Sequence, residues 1–216
     1  MFNINNIRKD FPVLSKKLNG KPIVYFDSAC MSLRPMQVID AIDSYYKEFP
    51  ACAGRSLHKL GKKVTEEVEN SRKTIQKFIN AKKPEEIIFT RNTTESINLI
   101  SKSFKFDKNF KVLSSDREHN SNLLPWQILE KKGIKHEIVK SNKDFTFDLE
   151  DFNKKIKGTK LVAIVYTSNL DGYTLPVKEI IKIAHENKAL VLLDAAQAVP
   201  HHEVDVRKLD VDFLAF

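Results

Sequence analysis

Two hydrophobic periods alternate along this chain. Over residues 59–81, Leu60, Val64, Val68, Ile75, Phe78 and Ile79 recur at mostly three- and four-residue intervals with charges between them, the spacing of an amphipathic surface helix. Residues 36–49 predict another helix, opened by Pro35 and stopped by Pro50. Short apolar runs at 23–27, 87–90, 111–114, 136–139 and 161–166 predict strands, and the helical period returns at 93–104, 122–132, 149–157 and 177–187. The most informative run is Ala189 to Leu193, five apolar residues that lead straight into Asp194, Ala195, Ala196 and Gln197. Such a run suits a strand buried on both faces of a parallel sheet and sets Asp194 at its carboxyl end. The alternation predicts an α/β fold of three layers, a mostly parallel sheet with helices on both faces joined by right-handed connections. Residues 1–20 read as an N-terminal arm, with Pro12 ending a short helical segment, and residues 21–216 as one domain.

Composition narrows the classes. At 216 residues and 42% hydrophobic content the chain can bury one substantial core. It contains no apolar run long enough to cross a bilayer, and Met1 to Asn6 lack the basic-then-apolar build of a secretory signal, so a cytoplasmic protein is expected. The net charge of +8 comes mainly from lysine, 29 of the 36 basic residues. These lysines are spread along the chain without interleaved aromatics, which suits solvated helix faces rather than nucleic acid. Cys30 and Cys52 form no disulfide framework and no metal-ligand spacing; each is expected to be a small buried hydrophobe, and no metal site is expected.

Four loops carry candidate chemistry, each just past a predicted strand. In Thr90-Arg91-Asn92-Thr93-Thr94-Glu95-Ser96, Asn92 and Glu95 resemble a capping box, and the N–H groups and hydroxyls of Thr93 and Thr94 would face an anion at the positive end of a helix. The same residues also suit a plain cap. His119, in Arg117-Glu118-His119-Asn120-Ser121-Asn122, could stack on a flat ring or relay a proton, and equally suits a surface histidine. Asn169 follows the 161–166 run, and Asp194 and Gln197 could converge on one ligand or cap a helix. Glycine-rich phosphate motifs of the GxGxxG and GxxxxGK[ST] kinds are absent from the sequence. Taken together, a phosphate cradle, an imidazole, an amide and an acid at one edge of such a sheet fit an anionic, aromatic, nitrogen-containing cofactor. Pyridoxal 5'-phosphate has those properties.

Tyr25-Phe26-Asp27-Ser28-Ala29, Thr90 to Leu99, Glu118 to Trp126, Thr167-Ser168-Asn169 and Leu193 to Ala198 together resemble the class V aminotransferase-fold enzymes, and most nearly the cysteine desulfurase and selenocysteine lyase group. The resemblance runs from Tyr25 to Phe216 and implies the large domain of pyridoxal-phosphate fold type I, incomplete at this length. It implies that Thr94, with the Thr93 backbone, binds the cofactor phosphate, that His119 stacks on the pyridine ring as the catalytic histidine, that Asp194 pairs with the ring nitrogen and that Gln197 bonds the phenolic oxygen. Asn169 would lie beside cofactor and substrate, with Ala29 and His58 as further substrate-side positions. Implied too are conversion of L-cysteine to L-alanine with sulfur left as a persulfide, service to iron–sulfur cluster assembly, a homodimer and a sulfur-acceptor protein. L-Selenocysteine is the alternative substrate, and a kynureninase-like hydrolase, an epimerase or a non-catalytic cofactor-binding fragment are alternative readings. The loop from Ala51 to Ser56 departs from the family's usual Asn and His-Arg-Gly run. In the family, a segment like Val211 to Phe216 is followed by a Ser/Gly-His-Lys run whose lysine forms the Schiff base, and the nucleophilic cysteine lies further on. The chain is therefore expected to be the N-terminal portion of a longer enzyme and inactive alone.

Overall fold

The computed structural model describes residues 3–107 and 109–216. Contacts divide the chain into two compact units, the first reaching Lys73 and the second spanning Thr74–Phe216.

The first unit begins with helix α1 (Ile4–Lys9), where the Asn3 side chain accepts from Asn6 N–H, and a 3-10 turn at Pro12–Ser15. Strands β1 (Lys17–Leu18) and β2 (Lys21–Pro22) then form a small antiparallel hairpin. Asn19 and Gly20 turn it with φ of 51° and 77°, the left-handed geometry that Asn-Gly supplies at low cost. Helix α2 (Met36–Glu48) starts after Pro35, and α3 (Lys59–Phe78) follows an irregular loop. Gly61 is required there, since a Cβ would lie 2.2 Å from that of Ser56. Two expectations fail in this unit. Residues 23–27 are irregular rather than a strand, with Phe26 96% exposed, because no neighbouring strand offers them a ladder among the described residues. Cys30 and Cys52 are exposed rather than buried, Cys30 in a turn and Cys52 in an irregular loop, both outside any core cluster.

In the second unit a 3-10 turn (Pro84–Glu86) precedes an orderly alternation: α4 (Thr93–Ser103), β3 (Lys111–Ser115), α5 (Asn120–Glu130), β4 (Lys135–Val139), α6 (Leu149–Lys155), β5 (Leu161–Val165), α7 (Val177–Glu186), β6 (Leu190–Asp194), α8 (Val206–Leu209) and β7 (Phe213–Ala215). The sheet order is β4-β3-β5-β6-β7 and every pairing is parallel, with Val162 opposite Val191 and Val165 opposite Asp194. Successive residues point to opposite faces, both covered by helices, so β5 and the part of β6 before Asp194 are apolar. Leu113, Val162, Ile164, Val191 and Leu193 pack with Phe152 of α6 and Ile180 and Ala184 of α7. Val112, Leu161, Ala163 and Leu192 pack on the other face with Ile97 of α4 and Trp126 of α5. Those are the three layers expected from the sequence. Residues 87–90 differ from expectation: they have no regular secondary structure and lie outside both sheets, with Ile87 buried against Ile79 and Ala81 while Ile88 is exposed.

The end of α7 yields a test of local physics. Lys188 N–H donates to the His185 carbonyl at 2.9 Å and Ala189 N–H to that of Ala184 at 2.9 Å, closing the helix with Lys188 in the left-handed region at φ 59°. A left-handed L-residue costs roughly 1–2 kcal/mol, against which glycine's extra unfolded-state entropy sets about 0.5–1 kcal/mol. Lys188→Gly is expected to stabilise the chain by up to about 1 kcal/mol, read as a higher urea midpoint at unchanged slope. A lower midpoint would contradict this.

Candidate active site

The chain leaves β3 toward β4 on one side and then returns to place β5 on β3's other side, so the strand order reverses between β3 and β5. Crevices of this kind, beyond the carboxyl ends of parallel strands, are where such sheets bind ligands. Ser115, Val165 and Asp194 end the three adjacent strands β3, β5 and β6.

Helix α4 presents the anion-binding end. Asn92 accepts from Glu95 N–H at 2.9 Å, and the Glu95 carboxylate accepts from Arg91 N–H at 2.6 Å while pairing with the Arg91 guanidinium at 2.8 Å. Arg91, by hydrogen bonding first, holds the Glu95 carboxyl down to about 2. The Thr93 and Thr94 N–H groups belong to the first turn and have no acceptor within the helix. Thr94 Oγ1 lies 2.7 Å from Ser121 Oγ, which lies 2.9 Å from His119 Nδ1. His119 also caps α5, its Nδ1 accepting from Ser121 N–H at 3.2 Å, and the imidazole remains exposed. One polar line thus joins the starts of α4 and α5 beside the sheet's rim.

Asp194 is 4% exposed and accepts from Ala196 N–H at 3.1 Å. Burial pushes its carboxyl above the usual carboxylate range, opposed by the Ala196 hydrogen bond and by the charge of His119. A buried acid in this state would be held ionised by a cationic partner. Gln197 is half-buried three residues on, and Asn169 is half-buried in the turn after β5. That turn is fastened through Asp171, whose carboxylate takes a close ion pair from the largely buried Arg117; Arg117 also donates to the Phe145 carbonyl at 2.5 Å and lies 5.4 Å from the Tyr173 ring. Thr93, Thr94, His119, Asn169, Asp194 and Gln197 therefore all belong to the second unit. Ala29 and His58 belong to the first, where His58 Nδ1 accepts from Gly61 N–H at 3.3 Å at the start of α3 and Ala29 lies in an exposed turn.

Sequence reasoning passed over Glu118 and Ser121. Ser121 is the link between Thr94 and His119. Glu118 fills the crevice between β3 and β5, where it accepts from Val165 N–H at 3.0 Å. A usable signal existed for Glu118: an acid three residues past a buried strand, with Asn122 four residues on, can reach both strand end and helix.

The donor set suits a phosphorylated, nitrogen-containing ring: unpaired first-turn N–H groups and threonine hydroxyls for an anion, an exposed imidazole face, and a buried carboxyl wanting a cation. The chain is 42% identical to a probable cysteine desulfurase of Halalkalibacterium halodurans, covering 99% of this chain and 54% of that protein, and 42% identical to a cysteine desulfurase of Escherichia coli K12, covering 100% and 54%. It thus spans about half the length of these curated relatives. Among solved structures, the apo cysteine desulfurase of Thermococcus onnurineus NA1 superposes with a TM-score of 0.89 at 41% identity over 99% of this chain and 52% of that one. The Escherichia coli cysteine desulfurase CsdA superposes at 0.84 with 27% identity, over 99% of this chain and 54% of that one. With residues 24–216 matching its profile, the chain belongs to the aminotransferase class-V family.

Proposed function

We propose that this chain is the cofactor-holding part of a pyridoxal-phosphate-dependent cysteine desulfurase, which converts L-cysteine to L-alanine and passes the sulfur to a cysteine thiol as a persulfide. The observation that carries this reading is the polar line from Thr94 through Ser121 to His119, with the buried Asp194 carboxyl in electrostatic reach of the same imidazole. The identity to cysteine desulfurases along the whole chain supports it.

In this reading the Thr93 and Thr94 N–H groups and the Thr94 hydroxyl bind the phosphate, where the α4 dipole adds its attraction. His119 packs its exposed face on the ring, and Gln197 donates to the phenolic oxygen. Asp194 holds a proton on the ring nitrogen, which its burial makes effective because the pair is shielded from water. The bound cofactor supplies an electron-withdrawing ring that stabilises negative charge at the substrate's Cα. Asn169 borders the substrate. A homodimer, a sulfur-accepting partner, a role in iron–sulfur cluster assembly and a cytoplasmic setting belong to the same proposal through the family resemblance. No helix among the described residues is long and apolar enough to cross a membrane.

The test uses the complete protein. It is expected to bind pyridoxal phosphate with a visible absorbance band and to release alanine and, with a thiol reductant, sulfide from L-cysteine. Absence of both the band and alanine would overturn the proposal; faster turnover of selenocysteine than of cysteine would redirect it to a lyase.

A further inference from the structure

Glu118 occupies the crevice at the strand-order reversal, and its carboxyl is used in full. Oε1 accepts from Val165 N–H at 3.0 Å, from Ser115 N–H at 3.3 Å and, through a very short contact, from the Ser115 hydroxyl. Oε2 accepts from Asn122 Nδ2 at 2.6 Å, and Asn122 Oδ1 accepts from Trp126 Nε1 at 3.3 Å. The orientation of Asn122 follows from chemistry, because an indole N–H only donates, so the amide oxygen must face Trp126 and the amide nitrogen must face Glu118. One side chain therefore ties the ends of β3 and β5 to the first turn of α5, immediately before His119.

Resting on the cofactor reading above, we propose that Glu118 is the positioning residue of this rim: its carboxyl fixes the loop that carries His119 against the strand ends, and so sets His119 relative to Asp194 on β6. Burial pushes Glu118 up to about 7, opposed by hydrogen bonds from Ser115, Val165 and Asn122 and reinforced by Asp194. Of its neighbours, β3 contributes the neutral Ser115, α5 the neutral Asn122 and Trp126, β5 the Val165 backbone and β6 the ionisable Asp194, while His119 follows in the chain. Only the Ser115 hydroxyl can switch from donating to accepting, so the proton of the neutral acid belongs on Oε1 facing it. The Glu118→Gln side chain cannot replace this pattern. With its oxygen toward Val165, its amide nitrogen meets the Asn122 nitrogen; turned round, it meets the backbone donors of Ser115 and Val165.

The experiment follows the His119 ring by NMR in histidine-labelled protein without cofactor, across pH 5–9, beside cofactor affinity of the complete protein. In the parent the His119 signals are expected to show, apart from the imidazole's own protonation, a separate inflection at the Glu118 transition. Glu118→Gln is expected to remove that inflection and to raise the cofactor dissociation constant about tenfold or more, as loss of a buried hydrogen-bonded charge does. Ser115→Ala, which keeps both backbone donors but removes the hydroxyl that donates to the ionised carboxylate, is expected to move the inflection to higher pH, and it decides the matter if Glu118→Gln does not fold. A folded Glu118→Gln protein with parental His119 titration and parental affinity would overturn the proposal, as would an unmoved inflection in Ser115→Ala. If the parent binds no cofactor, the functional reading fails while the His119 titration still judges Glu118.

Discussion

If the proposed function holds, Asp194→Asn is expected to weaken pyridoxal-phosphate binding and lower the proposed desulfurase turnover of the complete protein by about a hundredfold or more. The substitution is close to isosteric, and its amide oxygen can still accept from Ala196 N–H, the 3.1 Å bond that Asp194 makes at the end of β6. What disappears is a negative charge in a site 4% exposed. Removing one member of a buried, hydrogen-bonded charge pair typically costs about 3–5 kcal/mol, and about 1.4 kcal/mol is a factor of ten, hence two to three orders of magnitude. Stability without cofactor should move the other way. An acid whose folded-state value is raised stays protonated after its unfolded counterpart has ionised, so folding loses stability as pH climbs from the unfolded value through the raised one. The amide cannot ionise, so Asp194→Asn is expected to melt higher than the parent at neutral pH with no cofactor present, and lower when both are saturated with it. Parental affinity and turnover would remove Asp194 from the site.

Much of this was legible in the sequence because the second unit obeys two simple periods. Leu161 to Val165 and Leu190 to Leu193 are apolar runs with helices over both faces, and such strands announce themselves without alternation. The helix starting at Thr93 was placed to the residue because Asn92 caps it, a local signal that needs no tertiary context. Ile23 to Asp27 misled for the opposite reason: β-rich composition expresses a fit to a neighbouring strand, and without one the segment is irregular. The hairpin at Asn19-Gly20 was missed despite its turn signature, since strands of two residues have no period to read. Cys30 and Cys52 were misjudged from the average habit of their residue type. Within the candidate site, ring-bearing and charged groups beyond strand ends stood out, whereas Ser121 acts through 2.7 and 2.9 Å contacts to Thr94 and His119, and Glu118 through a 3.0 Å bond to Val165, 47 residues on, which its spacing to Asn122 does not reveal.

Phe152→Ala is expected to be among the most destabilising single substitutions in the second unit. Helix α6 is only seven residues long, too short to persist in water by itself, and its attachments are few and specific. Asp148 caps its start by accepting from Asp151 N–H at 2.9 Å, and Lys155 crosses to the Ile138 carbonyl at 2.7 Å while pairing with Asp151 at 2.6 Å. Those contacts lie partly in solvent, where an i,i+4 ion pair contributes a few tenths of a kcal/mol. The apolar anchor is Phe152, 0% exposed, its ring centroid 5.7 Å from that of Phe147 and packed in the same cluster as Val139 and Ile156. Truncating such a ring removes its transfer energy and leaves a cavity, together about 3–5 kcal/mol, against a total stability of about 5–15 kcal/mol for a domain. At about 2–4 °C per kcal/mol this is a fall in melting temperature of roughly 6–20 °C. Phe145→Ala, at a ring 70% exposed, provides the control and is expected to stay within about 0.5 kcal/mol of the parent. If the two variants unfold at the same urea concentration, burial of Phe152 is not what holds α6 on the sheet.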